Sequence, residues 1–289
     1  MDIRLAVSPT RFLIVHYHIF KNGGSTIASI LEREFASHFA TVHGPDDVSV
    51  LDQASLADFV EGHTAVQAIS SHHLRYPKPI LPNTVIFDCC FLRNPLDRLQ
   101  SLYSYFQRID SDDPLCFLAR QDHPRSFFKK LMDNAPHLVS NVQVTMLAQG
   151  GAFTRPADSP DVDVAADVVG KMAIPGLVEK FDESLVAAEY FLKPAFPRLK
   201  LDYRPQNVSR PGGASPGDRQ EWLKHSWGSD LYAMLERLNQ CDLELWRRAE
   251  REVARRLDLV PAAEQRLAEF RARCPKRQVA TAYPRVHIA

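Results

Sequence analysis

Residues 18–26 read His-Ile-Phe-Lys-Asn-Gly-Gly-Ser-Thr and follow directly on the apolar run Phe12-Leu13-Ile14-Val15. A β-branched strand, a lysine, two glycines, two hydroxyls and then a helical pattern (Ile27, Ile30, Leu31, Phe35) make a cradle for an anion. Glycine lets backbone N–H groups approach an oxyanion, and the following helix points its positive dipole end at it. Lys21 stands before Gly23 and Gly24, whereas a Walker A loop places its lysine after the glycines, so nucleoside triphosphate hydrolysis is disfavoured. A second anion motif lies in residues 84–106, where an apolar strand stops at Arg93 and turns into a helix. Asn94 suits the N-cap, Pro95 the first helical position and Asp97 the first turn. Arg93 thus falls at the carboxyl end of a strand, where open α/β sheets bind ligands, with Ser101 on the helix that follows. A guanidinium fork and a hydroxyl are what a phosphomonoester dianion requires. Between the two motifs, Ala65 to Ser70 reads as a strand ending in His72 and His73, and an imidazole there suits the removal of a proton from an alcohol near neutral pH.

Each of these residues has a plainer reading. Arg93 could pair with a carboxylate, Arg98 could lie on a solvated helix face, and a histidine could cap a loop carbonyl. His16 and His18 share a strand face and could join His72 and His73 around a metal, but no Cys-x-x-Cys or His-Glu-x-x-His spacing supports this. Metal is therefore not expected.

The first loop resembles the 5′-phosphosulfate loop of sulfotransferases that use 3′-phosphoadenosine 5′-phosphosulfate (PAPS), in particular the carbohydrate-sulfating branch, with Phe20 standing where that branch commonly has proline. The second segment is similar to the 3′-phosphate motif of the same family at Arg93, Pro95, Arg98, Ser101 and Tyr103. The resemblance runs over about residues 12–250 and is strengthened by Gly176-Leu-Val-Glu-Lys-Phe-Asp-Glu-Ser-Leu and by the Asn/Gln segment Ser140-Asn-Val-Gln. It implies an α/β, P-loop-like three-layer sandwich with a central parallel sheet and a helix-rich C-terminal half. It implies sulfuryl transfer from PAPS to an acceptor hydroxyl, a glycan or glycoconjugate being the acceptor class of that branch, without a metal. Lys21 would stabilise the leaving phosphate. The amides of Asn22, Gly23, Gly24, Ser25 and Thr26, with the two hydroxyls, would hold it. Arg93 and Ser101 would grip the 3′-phosphate, with Arg210 in a late Pro/Gly-rich loop as a further contact. His72 would be the base in preference to His73, because it follows a small residue as the family's histidine does and adjacent side chains on a strand face opposite ways. Two alternatives compete: a catalytically inactive nucleotide- or glycan-binding protein of the same fold, and an atypical P-loop kinase.

The rest of the chain must position these groups. At 289 residues with 45% hydrophobic content it can bury one large α/β core, read as a single domain over 1–289 with a core at about 12–250 and a helical C-terminal extension at about 218–273. Thirty-five basic and 35 acidic residues leave no net charge, so general affinity for nucleic acid or an anionic membrane is not indicated. No apolar run approaches the roughly 18 residues of a membrane span, and no signal-peptide core is evident. Five cysteines without framework spacing suggest reduced thiols, and together these features suggest a cytoplasmic location. Helices are expected at Pro124–Met132, Leu138–Leu147, Asp163–Met172 and Phe181–Phe191, a strand at 174–179 and a surface loop at Gly150–Val162. Leu231, Leu235, Leu238, Leu245 and Ala249 form an apolar stripe, flanked by arginines 247, 248, 251, 255 and 256 read as a solvated face.

Overall fold

The computed structural model of the chain describes residues 10–46, 49–121, 123–204 and 216–274. Arg210 and the neighbouring Asn207-Val-Ser209 stretch lie outside the described residues. Five strands, β1 (Arg11–Tyr17), β2 (Phe39–Thr41), β3 (Ala68–Ser71), β4 (Thr84–Leu92) and β5 (Ile174–Leu177), form one parallel sheet in the order β2-β3-β1-β4-β5. Alternation along β1 sends Leu13, Val15 and Tyr17 to one face and Ile14 to the other. The first face packs under α2 (Gln53–Gly62), α6 (Val142–Ala148), α7 (Ser159–Lys171) and α11 (Gln240–Asp258). The second packs under α1 (Gly24–Phe35), α8 (Phe181–Leu192) and α12 (Ala263–Arg273). Covering both faces is what makes the strands read as continuous apolar runs. A third cluster unites α3 (Pro95–Arg108), α4 (Pro114–Arg120), α5 (Pro124–Asn134), α9 (Pro216–Trp227) and α10 (Ser229–Leu238).

The chain runs from β1 out to the sheet edge, returns through β3, and crosses to β4 on the other side of β1. The strand order reverses around β1, so the carboxyl ends of β3, β1 and β4 border one crevice, the place where open parallel sheets bind ligands. Both anion motifs and the histidine pair follow directly on these three strand ends.

Several elements differ from the sequence reading. β3 starts at Ala68 and not Ala65, since residues 63–66 close a turn after α2 through a Val66 N–H to His63 carbonyl bond. The helix expected over 138–147 begins at Val142, because Asn141 takes a left-handed conformation (φ 44°) and Leu138 ends a separate 3-10 turn. The loop expected to reach Val162 ends at Asp158, where Asp158 and Asp161 exchange side-chain-to-backbone hydrogen bonds and start α7, with a proline in its first turn. The apolar stripe is split between two helices: Leu231 and Leu235 of α10 join the α3 cluster, while Leu245 and Ala249 of α11 join the sheet. The arginine run is only partly solvated. Arg248 binds Glu244 and Asp163, and Arg256 binds Glu252 and the carbonyls of Ala173 and Gly170. Among the described residues no helix is long and apolar enough to cross a membrane.

Candidate functional site

The loop between β1 and α1 is built by two glycines for different reasons. Gly23, the N-cap of α1, has φ 75°, a left-handed conformation that suits glycine. At Gly24 a Cβ would lie 1.8 Å from Cδ2 of the His18 ring, so the imidazole occupies the space a side chain would need. Lys21 also has positive φ (68°), a strained conformation for a lysine. The amides of Asn22 and Thr26 are spent inside the loop, on the carbonyls of Ile19 and Gly23. Those of Gly23, Gly24 and Ser25 have no internal acceptor among the described residues, no carboxylate stands in the first turn of α1, and Ser25 is exposed beside them while Thr26 is buried. An uncapped helix N-terminus with N–H groups left over is an anion receptor.

β4 ends beside this loop. The Asn94 carboxamide accepts from the amides of Leu96 and Asp97 and starts α3, with Pro95 at its first position. Arg93 is buried and its Nη1 donates to the Lys21 carbonyl at 3.0 Å. The two motifs, 72 residues apart in the chain, therefore touch. Ser101 is buried on α3, and its neighbour Arg98, which could have lain on a solvated face, is fully buried. Arg98 donates through Nη2 to the Leu138 carbonyl, its Nε and Nη1 have no hydrogen-bond partner among the described residues, and burial draws its pKa down to about 10 despite the nearby Asp242.

Beneath the contact lies a polar clasp, whose Gln143 belongs to the Ser140-Asn-Val-Gln segment that the sequence singled out without a role and whose Asp242 it did not indicate. Gln143, on α6, accepts at Oε1 from the Arg93 amide (2.8 Å) and from Nδ2 of Asn22 (2.9 Å). Its Nε2 donates to the Arg93 carbonyl (2.8 Å) and, at 3.4 Å, to Asp242. Because the Arg93 amide can only donate and its carbonyl can only accept, the orientation of the Gln143 amide is fixed, and all its capacity is used. Its pairing with both polar backbone groups of Arg93 imitates one further rung of the parallel ladder beyond β4. Asp242, fully buried on α11, accepts from the amides of Gln143 and Val144, and burial raises its pKa against those bonds and Arg98. Glu179 accepts from the Asn94 amide and from Trp246 Nε1, a second tie from α11 to the Arg93 turn.

The register of β1 and β3 sets Tyr17 opposite Ser71, so His18 and His72 leave the sheet side by side. Their rings lie 3.5 Å apart between centroids, and His18 stacks in turn on His16 at 5.1 Å. Nδ1 of His72 lies 3.1 Å from the His18 carbonyl, which only accepts, so the proton sits on Nδ1 and Nε2 carries the lone pair. His73 has the opposite arrangement: it is buried, and its Nδ1 lone pair accepts the Gly44 amide at 2.7 Å. Burial, then the charge of His72, holds His16 at about 3. Burial and the neighbouring His16, His72 and Lys21 hold His18 well below the ordinary range. Burial lowers His72 to about 4, the hydrogen bond to His18 opposing and His73, His43 and Arg75 adding to it. The stack is neutral at pH 7. Among the described residues no group of three or more His, Cys, Asp or Glu is arranged to hold a metal ion.

Lys21 Nζ lies 4.4 Å from the Tyr105 ring centroid and 5.3 Å from that of Phe20, and Phe20 packs edge-on against Tyr105 and His72. Burial brings Lys21 down to about 8, with Arg108 and Arg93 adding to the shift. Arg108, in the last turn of α3, is a cation of the crevice that only the helical spacing from Ser101 and Tyr105 could have indicated. Lys21, Arg93 and Arg108 together make a positive field in a chain of zero net charge. A groove of about 650 Å³ between α8 and α12 lies elsewhere, beyond the far end of α8 from Gly23.

No family model matches the chain. It is similar to an uncharacterized protein of Archaeoglobus fulgidus, 26% identical over 245 residues that cover 82% of this chain and 95% of that protein.

Proposed function

We propose that the chain is a PAPS-dependent sulfotransferase with a P-loop-like fold, acting on an acceptor hydroxyl, with carbohydrate as the acceptor class. The observation that carries the reading is the contact of the Lys21 loop with Arg93, which brings two anion motifs to the carboxyl ends of adjacent parallel strands. Cations and free amides converge there without a carboxylate in the first turn of α1, which suits a ligand bearing two phosphate groups. The 5′-phosphosulfate would sit on the amides of Gly23, Gly24 and Ser25 with the hydroxyls of Ser25 and Thr26, and the 3′-phosphate against Arg93 and Ser101. In the reaction the acceptor oxygen attacks sulfur in line, its proton passes to Nε2 of His72, and the bond from sulfur to the bridging oxygen breaks with its electron pair left on the 5′-phosphate. Lys21 would leave the Tyr105 face to meet that growing charge, a contact worth more in the transition state than in the ground state. The neutral, Nδ1-protonated His72 is in the form a base needs at pH 7.

Calorimetric titration with 3′-phosphoadenosine 5′-phosphate, adenosine 5′-phosphate and ATP tests the reading. The first ligand is expected to bind at least ten-fold more tightly than the second, and Arg93→Ala to remove that margin, since a buried charge-assisted bond is worth about 1.5–3 kcal/mol. Tight ATP binding with no preference for the 3′-phosphate would instead favour the kinase. Binding of the nucleotide with no transfer from PAPS to any hydroxyl acceptor would favour the inactive binding protein.

A further inference from the structure

We infer that Gln143 is a positioning residue that locks the two anion half-sites into one register, so that a ligand with two phosphate groups is held as a unit; this rests on the nucleotide reading above. The inference comes from the clasp itself. Gln143 is 1% exposed and its side-chain bonds all go to protein groups, so it does not touch a ligand, yet one amide group ties the Lys21 loop through Asn22 Nδ2 to the turn carrying Arg93 through both polar backbone groups of that residue. Asn22 is also anchored to β4, its Nδ2 donating to the Phe91 carbonyl at 2.9 Å. The clasp is held from below by Asp242, whose carboxylate accepts the Gln143 amide N–H and also receives Nε2. A side chain with four satisfied hydrogen bonds in a dry setting has one available pose, so the loop and the strand end it joins have one relative position. Each half-site alone suffices for a monophosphate. A bisphosphate gains from both at once only if the spacing is fixed, because a spacing that must be found on binding costs affinity.

The test uses the full chain and two probes, 3′-phosphoadenosine 5′-phosphate and adenosine 5′-phosphate. In Gln143→Leu, and in Asn22→Ala, which cuts the side-chain bonds of the Lys21 loop to Gln143 and to the Phe91 carbonyl and leaves the Gln143–Arg93 pair in place, the ratio of the two dissociation constants is expected to fall ten-fold or more. Affinity for adenosine 5′-phosphate should change less than three-fold. Ser140→Ala removes a neighbouring hydrogen bond, to the Leu238 carbonyl, without touching the clasp, and should keep the wild-type ratio. Should Gln143→Leu fail to fold, Asn22→Ala carries the comparison. Amide hydrogen exchange on the ligand-free protein supplies a second reading: in Asn22→Ala the hydrogen-bonded amides at 22 and 26 and those of Arg93, Asn94, Leu96 and Asp97 are expected to lose protection together. An unchanged ratio in the folded variants would overturn the inference. So would loss of protection confined to the Lys21 loop. A wild type indifferent to the 3′-phosphate would sink the nucleotide reading instead, and coupled loss of protection would still show that the clasp joins the two loops.

Discussion

The three stacked histidines make stability fall steeply in mild acid. His16, His18 and His72 are held neutral in the fold, the first at about 3 and the last at about 4, whereas in the unfolded chain each takes up a proton as the pH falls below its ordinary value. The unfolded state then binds more protons, so stability is complete above that ordinary value and is lost progressively as the pH falls toward the folded values. Each such proton is worth about 1.4 kcal/mol per pH unit, so between pH 7 and pH 5 His16 and His72 cost about 2 kcal/mol each and about 4 kcal/mol together, with His18 acting in the same direction, against a total stability on the order of 5–15 kcal/mol. His72, the least buried of the three, gives the smallest share. Urea unfolding at pH 7, 6 and 5 is the assay, and a loss of that size moves the midpoint down by roughly 1 M or more. His72→Gln should remove part of the dependence and leave that of His16 and His18 in place. A midpoint that does not move between pH 7 and pH 5, or a His72 titrating near its ordinary value by NMR, would refute the reasoning. Where the midpoint falls as expected, the acid limb of any activity reports unfolding rather than protonation of the base.

Three further outcomes are expected. Lys21→Ala should depress turnover by about a hundred-fold or more while nucleotide affinity changes much less, since the contact strengthens as charge develops; near-normal turnover in steady-state assays would remove Lys21 from the mechanism. His72→Ala should lose about a hundred- to ten-thousand-fold in turnover with PAPS affinity kept, and His73→Ala far less, because its lone pair already serves Gly44; the reverse ranking on one acceptor would exchange their roles. Gly24→Ala drives a methyl group into the His18 ring and should cost about 1–3 kcal/mol or more and abolish anion binding, whereas Gly62→Ala, whose Cβ meets nothing within 4 Å, should be neutral to mildly stabilising in thermal melts.

What could be read in advance was whatever chemistry is local in the chain. The strand-to-helix junction after β1 announces itself through Gly23 and Gly24, and the start of α3 through Asn94 and Pro95, because caps and left-handed turns are decided within a few residues. The start of α7 was equally local and was missed, although Asp158, Pro160 and Asp161 spell it out. Gln143 and Asp242 were beyond local reading. A glutamine on a short helix and an aspartate on an amphipathic one look like surface residues, and what makes them internal is partners as much as 121 and 101 residues away. Arg98 misled for the same reason: its helix turns it under the 3-10 segment at Leu138, a neighbour that no spacing within α3 reveals. The break of the apolar stripe at Asn239, fully buried and bonded to the Asn141 amide, also depends on a distant partner.

The position of Asp242 sets a timetable for the nascent chain. Lys21, Arg93 and Gln143 are all synthesised in its first half, but the carboxylate that receives the Gln143 amide comes 99 residues later. At about 5–20 residues per second, translation leaves an interval of about 5–20 s in which both loops exist without their support. Through that interval the sheet face of Leu13, Val15 and Tyr17 also lacks Leu245, Ala249 and Val253 of α11. A ribosome-released fragment ending before α11 would carry every residue assigned a chemical role among the described positions, yet it would present an open apolar sheet and no assembled cradle. For the growing polypeptide, competence arrives late and nearly all at once.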